Sequence, residues 1–186
     1  MRHPSLLDRE RAILLLIDLQ ESYRRVLHGW DAVMEGAAKL LRGCRLLGVP
    51  VLITEQYPKG LGHTAPEVAT HLPSGTEVVE KVTMSCTGSA RLLDALAAAR
   101  RTQIVIAGIE THACVNQTVH DLLALSYQVH VARDATSSRR AGDVEPAWTR
   151  MLAAGMLPTS SEQALLELVR TAEAPEFKSL QQLLKE

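Results

Sequence analysis

Three side chains that could carry out nucleophilic chemistry stand where predicted strands end. Asp18 and Lys81 each end a short predicted strand, and Cys114 lies in the turn from Gly108 to Cys114 that opens a predicted helix. In an open parallel sheet, ligands bind beyond the carboxyl ends of the strands, near the point where the strand order reverses. The sequence therefore predicts that a carboxylate, an ammonium group and a thiol share one edge of a sheet.

Together these groups suit acyl transfer by a cysteine nucleophile. Near a helix N-terminus, unpaired N–H groups and the helix dipole would stabilise a Cys114 thiolate, and a Lys81 ammonium would act in the same direction. Asp18 would take the thiol proton during attack and return it to the leaving group. Backbone N–H groups of the turn would stabilise the developing oxyanion. This chemistry requires no cofactor.

Each residue also has a structural interpretation. A cysteine on the first turn of a helix is often a small buried hydrophobe, an aspartate after a strand often caps a loop, and a single lysine is usually solvated. The joint presence of Asp18, Lys81 and Cys114 favours a hydrolase. The alternative is a non-catalytic, oligomeric interaction module whose thiol is vestigial or only redox-active.

The elements that would position these residues alternate along the chain. Strands are predicted at 12–17, 49–54, 77–81, 103–108, 127–132 and 157–159. Helices are predicted at 33–47, 91–100, 115–126 and 145–154, with one opened by Ser160 and a last one at 175–185. The alternation predicts an α/β fold of three layers, with a six-stranded, mainly parallel sheet and helices on both faces. The polar segment 55–76 is predicted to be a long loop that lines or covers the site.

Length and composition narrow the class of protein. The 186 residues, 46% of them hydrophobic, suit a single domain over 1–186. A net charge of −1 without a cluster of Lys and Arg argues against a nucleic-acid partner. The apolar run 12–17 is too short to cross a membrane. Three cysteines without CxxC spacing indicate neither disulfides nor a zinc site, so we expect a protein of the reducing cytoplasm. We expect its partner to be a small-molecule substrate.

Four separated motifs resemble those of the isochorismatase-like cysteine hydrolases, and the likeness extends from about Ala12 to Leu168. The motifs, in family order, are Leu16-Ile-Asp-Leu-Gln20, Thr54-Glu-Gln-Tyr-Pro-Lys-Gly60, Glu80-Lys-Val-Thr83 and Gly108-Ile-Glu-Thr-His-Ala-Cys-Val115. The superfamily includes nicotinamidases, N-carbamoylsarcosine amidases and ureidoacrylate hydrolases, and the nearest branch is the isochorismatase domain-containing proteins. The resemblance implies an isochorismatase-like, Rossmann-like fold and, as is common in the family, a homo-oligomer.

The resemblance also implies roles for individual residues. Asp18 would be the base, Lys81 the electrostatic activator and Cys114 the nucleophile. A cis peptide bond would join Ile109 to Glu110, and the N–H groups of Glu110 and Cys114 would bind the oxyanion.

Two departures from the family pattern narrow the reaction. Nicotinamidases carry an Asp-x-His…His metal cluster after the second strand, where this chain has Glu55-Gln-Tyr-Pro with only His63 and His71 further on. A metal-dependent nicotinamidase is therefore disfavoured, and we expect no metal. Isochorismatases proper cleave a vinyl ether and lack the nucleophilic cysteine, so the presence of Cys114 indicates an amide or ureide C–N bond.

Several residues are weaker candidates for the site. Gln56 and Tyr57 follow the second strand and could contact a small substrate, although a structural loop role is an equal alternative. His112 ranks behind Asp18 as the base, because neighbouring residues on a turn face different ways. Cys86 could approach the pocket, with packing in the core as the favoured interpretation. Asp134 is predicted to end the fifth strand and cap the following loop.

Overall fold

The structure is a computed structural model that describes residues 3–186. Within them, six parallel strands form one sheet in the order β3-β2-β1-β4-β5-β6. The strands are β1 (Ala12–Ile17), β2 (Val51–Gln56), β3 (Val78–Lys81), β4 (Gln103–Ile109), β5 (Gln128–Ser137) and β6 (Leu157–Thr159). The strand order reverses between β1 and β4, so their carboxyl ends flank the position where such sheets bind ligands.

Helices cover both faces of the sheet, which confirms the predicted α/β architecture. They are α1 (Trp30–Leu46), α2 (Pro58–Leu61), α3 (Pro66–Ala69), α4 (Ala90–Ala99), α5 (Asn116–Ala124), α6 (Val144–Ala153), α7 (Ser161–Val169) and α8 (Phe177–Leu184). Leu14 and Leu16 of β1 pack in the cluster that contains α1 and α7, whereas Ile13, Leu15 and Ile17 pack in the one that contains α5 and α6. Burial of both faces explains why β1 is continuously apolar.

The segment predicted as one long loop contains more structure than expected. Strand β2 continues to Gln56, and two short helices follow within 55–76. Pro58 and Pro66 occupy the first positions of α2 and α3, where a fixed φ favours helix and the missing N–H costs nothing. The interpretation of 55–76 as a structureless loop is therefore wrong.

Strand β5 is longer than predicted, and this changes the role of Asp134. A register shift between Ile106 and Gly108 lets β4 and β5 continue to pair as far as Ser137. Asp134 therefore lies inside the strand and does not end it. Its carboxylate accepts a hydrogen bond from the backbone N–H of Ser161 at 2.9 Å, at the start of α7.

No helix in residues 3–186 is long and apolar enough to cross a membrane.

Candidate active site

Asp18 directly follows β1 and is almost completely buried. Its φ of 52° is left-handed, a conformation that aspartate tolerates better than most residues. Its backbone N–H donates to the carbonyl of Thr54 at 3.1 Å, which ties it to β2. The Thr54 hydroxyl donates to Oδ1 at 2.7 Å. Oδ2 is the carboxylate oxygen that faces the Lys81 ammonium.

Lys81 ends β3, and its side chain is fully buried. The ammonium Nζ lies 2.7 Å from Asp18 Oδ2, and the two form a buried ion pair. It donates to Gln56 Oε1 at 2.6 Å and to the carbonyls of Thr83 and Met84, each at 3.2 Å. Burial is the largest single influence and opposes the charged form of Lys81, but the Asp18 carboxylate, with smaller contributions from Cys86 and Cys114, outweighs it in sum, and the pKa is raised. The ammonium therefore stays charged beside the carboxylate.

Cys114 lies in a π-helical turn, Thr111–Val115, that leads directly into α5. The side chain is buried, with 7% of the residue exposed. The pKa of the thiol is raised to about 12, first by burial and then by Asp18, through its charge and as an acceptor for the thiol proton, while Lys81 lowers it. Burial and the Asp18 charge thus oppose the stabilised thiolate that the helix N-terminus and Lys81 were expected to favour. At neutral pH the site holds a thiol beside a carboxylate.

The turn before Cys114 is anchored through Glu110. The peptide bond between Ile109 and Glu110 is cis, as the resemblance implied. Glu110 is buried, and its Oε1 accepts hydrogen bonds from the backbone N–H of Arg139 at 2.9 Å and from its Nε at 3.0 Å. The Glu110 carbonyl accepts from the N–H of Val115 at 3.2 Å. Binding of an oxyanion by the N–H groups of Glu110 and Cys114 stays a prediction.

Gln56 and Tyr57 lie at the end of β2 in different surroundings. Gln56 is buried, and besides accepting from Lys81 its side chain donates from Nε2 to the carbonyl of Val82 at 2.9 Å. Both ends of this amide are thus engaged in holding Lys81 and the chain that follows it. Tyr57 is 54% exposed and lines, with Lys81, a cavity of about 410 Å³. Of the two, Tyr57 is the one available to a ligand.

His112 and Cys86 differ in burial and in the hydroxyl groups that they contact. His112 is half-buried, and its Nδ1 lies 2.9 Å from Ser138 Oγ. Cys86 is fully buried, with Sγ 3.7 Å from Thr54 Oγ1. Because the Thr54 proton is directed to Asp18, the Cys86 thiol is the donor in that contact. Burial raises the pKa of Cys86 to about 11, so it is a second protonated thiol next to the ion pair.

Sequence reasoning missed Tyr23 and Thr54. Tyr23 ends a 3₁₀ turn, Glu21–Tyr23, and its pKa is raised by burial and then by the charges of Glu110 and Cys114. Its phenol therefore lies in the electrostatic surroundings of the thiol. An aromatic residue five positions after Asp18 matches no pattern that would have identified it. Thr54 could have been identified from one sequence feature, because it is a polar residue in an apolar strand.

His63 and His71, the two histidines that follow β2, do not form a metal site with other side chains in residues 3–186. His63 Nδ1 lies 3.0 Å from Glu55 Oε2, on a side chain that is largely exposed. Within residues 3–186, no group of three or more His, Cys, Asp and Glu side chains is arranged to hold a metal ion.

Comparison with known proteins gives the family. The family model of the isochorismatase domain matches residues 12–163. Isochorismatase domain-containing protein 2A of Mus musculus is 40% identical over 179 residues, which cover 95% of this chain and 84% of that protein. The structure of MAR1 ribonuclease from Caenorhabditis elegans superposes with a TM-score of 0.93 at 34% identity, over 97% of this chain and 93% of that one.

A more distant structure shares the fold alone. The YcaC gene product of Escherichia coli, described as an octameric hydrolase of unknown specificity, has a TM-score of 0.89 at 21% identity, over 98% of this chain and 92% of that one. The resemblance drawn from the four motifs is thus confirmed by a match over most of the chain. This chain belongs to the isochorismatase domain family.

Proposed function

We propose that the protein is a cysteine hydrolase that cleaves an amide or ureide C–N bond of a small molecule. The observation that carries the proposal is the buried ion pair of Asp18 and Lys81 next to the buried thiol of Cys114, at the edge where the strand order reverses. Buried charges are costly unless they are paired, so a carboxylate and an ammonium kept beside a thiol favour a chemical role. Family membership also favours a hydrolase.

In the proposed reaction, Cys114 Sγ attacks the substrate carbonyl while its proton passes to Asp18 Oδ2. Lys81, 2.7 Å from that oxygen, offsets the negative charge that moves from the carboxylate to the sulfur and the carbonyl oxygen. The N–H groups of Glu110 and Cys114 would stabilise the oxyanion. Its collapse breaks the C–N bond, and Asp18 returns the proton to the leaving nitrogen. Water activated by Asp18 then hydrolyses the thioester and restores the thiol.

The test is intact-mass detection of an acyl adduct after incubation with a panel of small amides, ureides and activated esters. We expect an adduct or turnover with the wild-type protein and neither with Cys114→Ala. Cys44→Ala is the matched control, since this thiol is also buried and packs in the cluster that contains α1 and α7, away from the ion pair. An adduct that persists in Cys114→Ala would contradict the proposal. Absence of adduct and turnover throughout the panel, together with slow alkylation of Cys114, would favour the interaction module.

RNA cleavage is a second candidate function, although the net charge predicted no nucleic-acid partner. The observation in its favour is the similarity to the structure named MAR1 ribonuclease. Arg139 and Arg140, which line a cavity beside His112, could contact a phosphate. Incubation of end-labelled RNA with the wild-type protein and with Cys114→Ala and Asp18→Asn tests it. Cleavage by the wild-type protein that is lost in Asp18→Asn would favour RNA as the substrate.

We also propose that the chain forms a single domain and that this domain forms a homo-oligomer. We propose the cytoplasm as its location. The apolar side chains of Val82 and Met84 are exposed directly after Lys81, which supports contact between copies near the site. All three cysteines are free thiols, in keeping with a reducing compartment. Sedimentation equilibrium measures the mass in solution, and a monomer at micromolar concentration would contradict the assembly.

A further inference from the structure

Thr54 is a polar residue of β2 whose side chain contacts Asp18. It is fully buried, and the register of the sheet pairs it with Ile17, the last residue of β1. Its carbonyl accepts a hydrogen bond from the backbone N–H of Asp18 at 3.1 Å, and its hydroxyl donates to Asp18 Oδ1 at 2.7 Å. One residue of the neighbouring strand thus holds both the main chain and the side chain of the proposed base.

The two oxygens of the Asp18 carboxylate are held by different groups. Oδ2 lies 2.7 Å from the Lys81 ammonium, and Oδ1 accepts from the Thr54 hydroxyl at 2.7 Å. An ammonium is a point charge on a flexible stem, so it attracts the carboxylate without fixing its plane. The β-branched side chain of Thr54 is stiff at χ1, and its hydroxyl supplies the second point of attachment. Together the two contacts define the orientation of the carboxylate.

Cys86 begins a chain of hydrogen bonds that ends at Asp18. Its Sγ lies 3.7 Å from Thr54 Oγ1, and the thiol is the donor in that contact. Thr54 has a single hydroxyl proton, so an S–H group that donates to its oxygen leaves that proton directed to Asp18. The backbone N–H of Cys86 donates to the hydroxyl of Thr118 in α5 at 2.9 Å, which fixes the position of the cysteine. Because Cys86, Thr54 and Thr118 are all fully buried, these bonds are shielded from bulk solvent.

We propose that Thr54 is a positioning residue for Asp18, and that Cys86 orients the Thr54 hydroxyl. A hydroxyl donor favours the ionised form of a carboxylate and fixes the direction in which its oxygens face. In the proposed reaction this arrangement holds the proton acceptor in place for the Cys114 thiol. Cys86 then has a role beyond packing, although its own thiol does not react. The effect on turnover rests on the proposed function, whereas the effect of Thr54 on the charge of Asp18 does not.

Alkylation of Cys114 by iodoacetamide, followed by peptide mass spectrometry, tests the contact without any substrate. After burial, the charge of Asp18 is the largest cause of the raised pKa of the Cys114 thiol. In Thr54→Val the carboxylate loses its hydroxyl donor, so its charge acts more strongly on the thiol. We expect the rate at pH 8 to 9 to fall about threefold, which corresponds to a rise of about half a unit in the pKa of Cys114. Thr54→Ser keeps the hydroxyl and should keep the wild-type rate.

A double-variant cycle determines whether Thr54 acts through Asp18. Asp18→Asn removes the carboxylate charge, so in that background Thr54→Val should leave the alkylation rate of Cys114 unchanged. A role of Thr54 in packing alone would loosen the surroundings of a buried thiol and raise the rate in Thr54→Val. That rise would overturn the proposal, as would an equal slowing in both backgrounds or a Thr54→Ser protein that is slowed as much as Thr54→Val.

Steady-state kinetics with an amide, ureide or activated ester that the wild-type protein turns over measures the effect on the reaction. In Thr54→Val we expect kcat to fall about tenfold or more, because a hydrogen bond to a charged group is lost. The acid limb of its pH profile should move to higher pH, because the ionised carboxylate has lost a donor. In Thr54→Ser kcat should stay within about threefold of the wild-type value. Equal values of kcat in Thr54→Val and Thr54→Ser would contradict the positioning role.

The contribution of Cys86 is measured against a second buried cysteine. Cys86→Ala removes the donor to Thr54 and should lower kcat about threefold, since a thiol is a weak donor. Cys44→Ala removes a thiol from the other core cluster and should leave kcat unchanged. Equal values of kcat in the two variants would show that Cys86 only packs. A protein that turns over no compound of the panel would count against the proposed function alone, and the alkylation rates would then decide the role of Thr54.

Discussion

Asp18, Lys81 and Cys114 depend on one another for their charge states. Each charge of the ion pair is buried, so loss of either partner would leave the other without compensation. The same carboxylate helps to keep Cys114 a thiol. The free protein thus holds one balanced pair and one neutral group. In the proposed reaction, charge moves onto the sulfur only as a substrate accepts the attack.

Removal of the Asp18 charge should make Cys114 easier to alkylate and hydrolysis slower. After burial, the Asp18 charge is the largest cause of the raised pKa of Cys114, so Asp18→Asn lowers that pKa. Below the pKa, each unit of lowering raises the thiolate fraction about tenfold. The iodoacetamide rate at pH 8 to 9 should therefore rise, while loss of the base should reduce turnover by roughly 10² to 10⁴. Lys81→Met should slow alkylation, because the cation lowers the pKa. Slower alkylation of Asp18→Asn would contradict this account.

Gln56 should act through Lys81 and not through the substrate. Gln56→Met removes the acceptor that lies 2.6 Å from the Lys81 ammonium, while keeping a side chain of similar length. Loss of one hydrogen bond to a charged group is worth about 1.5 to 3 kcal/mol, so we expect kcat to fall at least tenfold. Steady-state kinetics with a turned-over substrate gives the answer, since a positioning residue changes kcat and a substrate contact changes KM. A raised KM at constant kcat would contradict this role and would indicate that Gln56 contacts the substrate.

The positions of the candidate catalytic residues could be predicted because they follow from topology. Asp18 and Lys81 end strands, and strand ends share one edge in any parallel sheet. The residues that hold them could not be predicted in the same way. Whether Thr54 contacts Asp18, and whether Gln56 turns inward to Lys81, depends on the register between β1, β2 and β3 and on side-chain rotamers.

At the scale of elements, short apolar runs predicted each strand of the sheet and missed the places where the backbone geometry is irregular. The continuous apolar run of β1 indicated burial on both faces, as found. The extension of β5 to Ser137 depends on a register shift opposite Gly108, which has no hydrophobic signature. The helices α2 and α3 have four residues each, too few to show a period of 3.6.

Gly108→Ala should destabilise the end of β4 and the turn that follows. Gly108 has a φ of 144°, and a Cβ there would collide with the backbone carbonyl of Ile17. Both the strain and the clash involve main chain, so we expect a loss of about 3 kcal/mol or more in the free energy of unfolding, measured with urea. Gly142→Ala is the control, because nothing lies within 4 Å of its added Cβ. Equal stability of the two variants would show that the turn tolerates a side chain at Gly108.

At the scale of the whole molecule, the sheet is covered on both faces, and several polar side chains are buried away from the site. His130 of β5 is one of them. It is 3% exposed, and its Nε2 has no hydrogen-bond partner within residues 3–186. Burial lowers its pKa to about 4, so the imidazole is neutral in the folded protein at neutral pH. Protonation of this one side chain therefore couples the stability of the entire fold to pH.

The direction of that coupling follows from where the proton binds. Between pH 6.5 and about 4 the unfolded chain takes up a proton at His130 that the folded protein excludes, so the free energy of unfolding falls as the pH falls. Between pH 7 and pH 5 the loss should be about 2 kcal/mol, at 1.36 kcal/mol per unit. His130→Leu should remove this part of the pH dependence in urea denaturation at pH 5, 6 and 7. His28→Gln changes an exposed histidine and should keep the wild-type dependence. If wild-type and His130→Leu proteins lost stability in parallel, other groups would govern the response to acid.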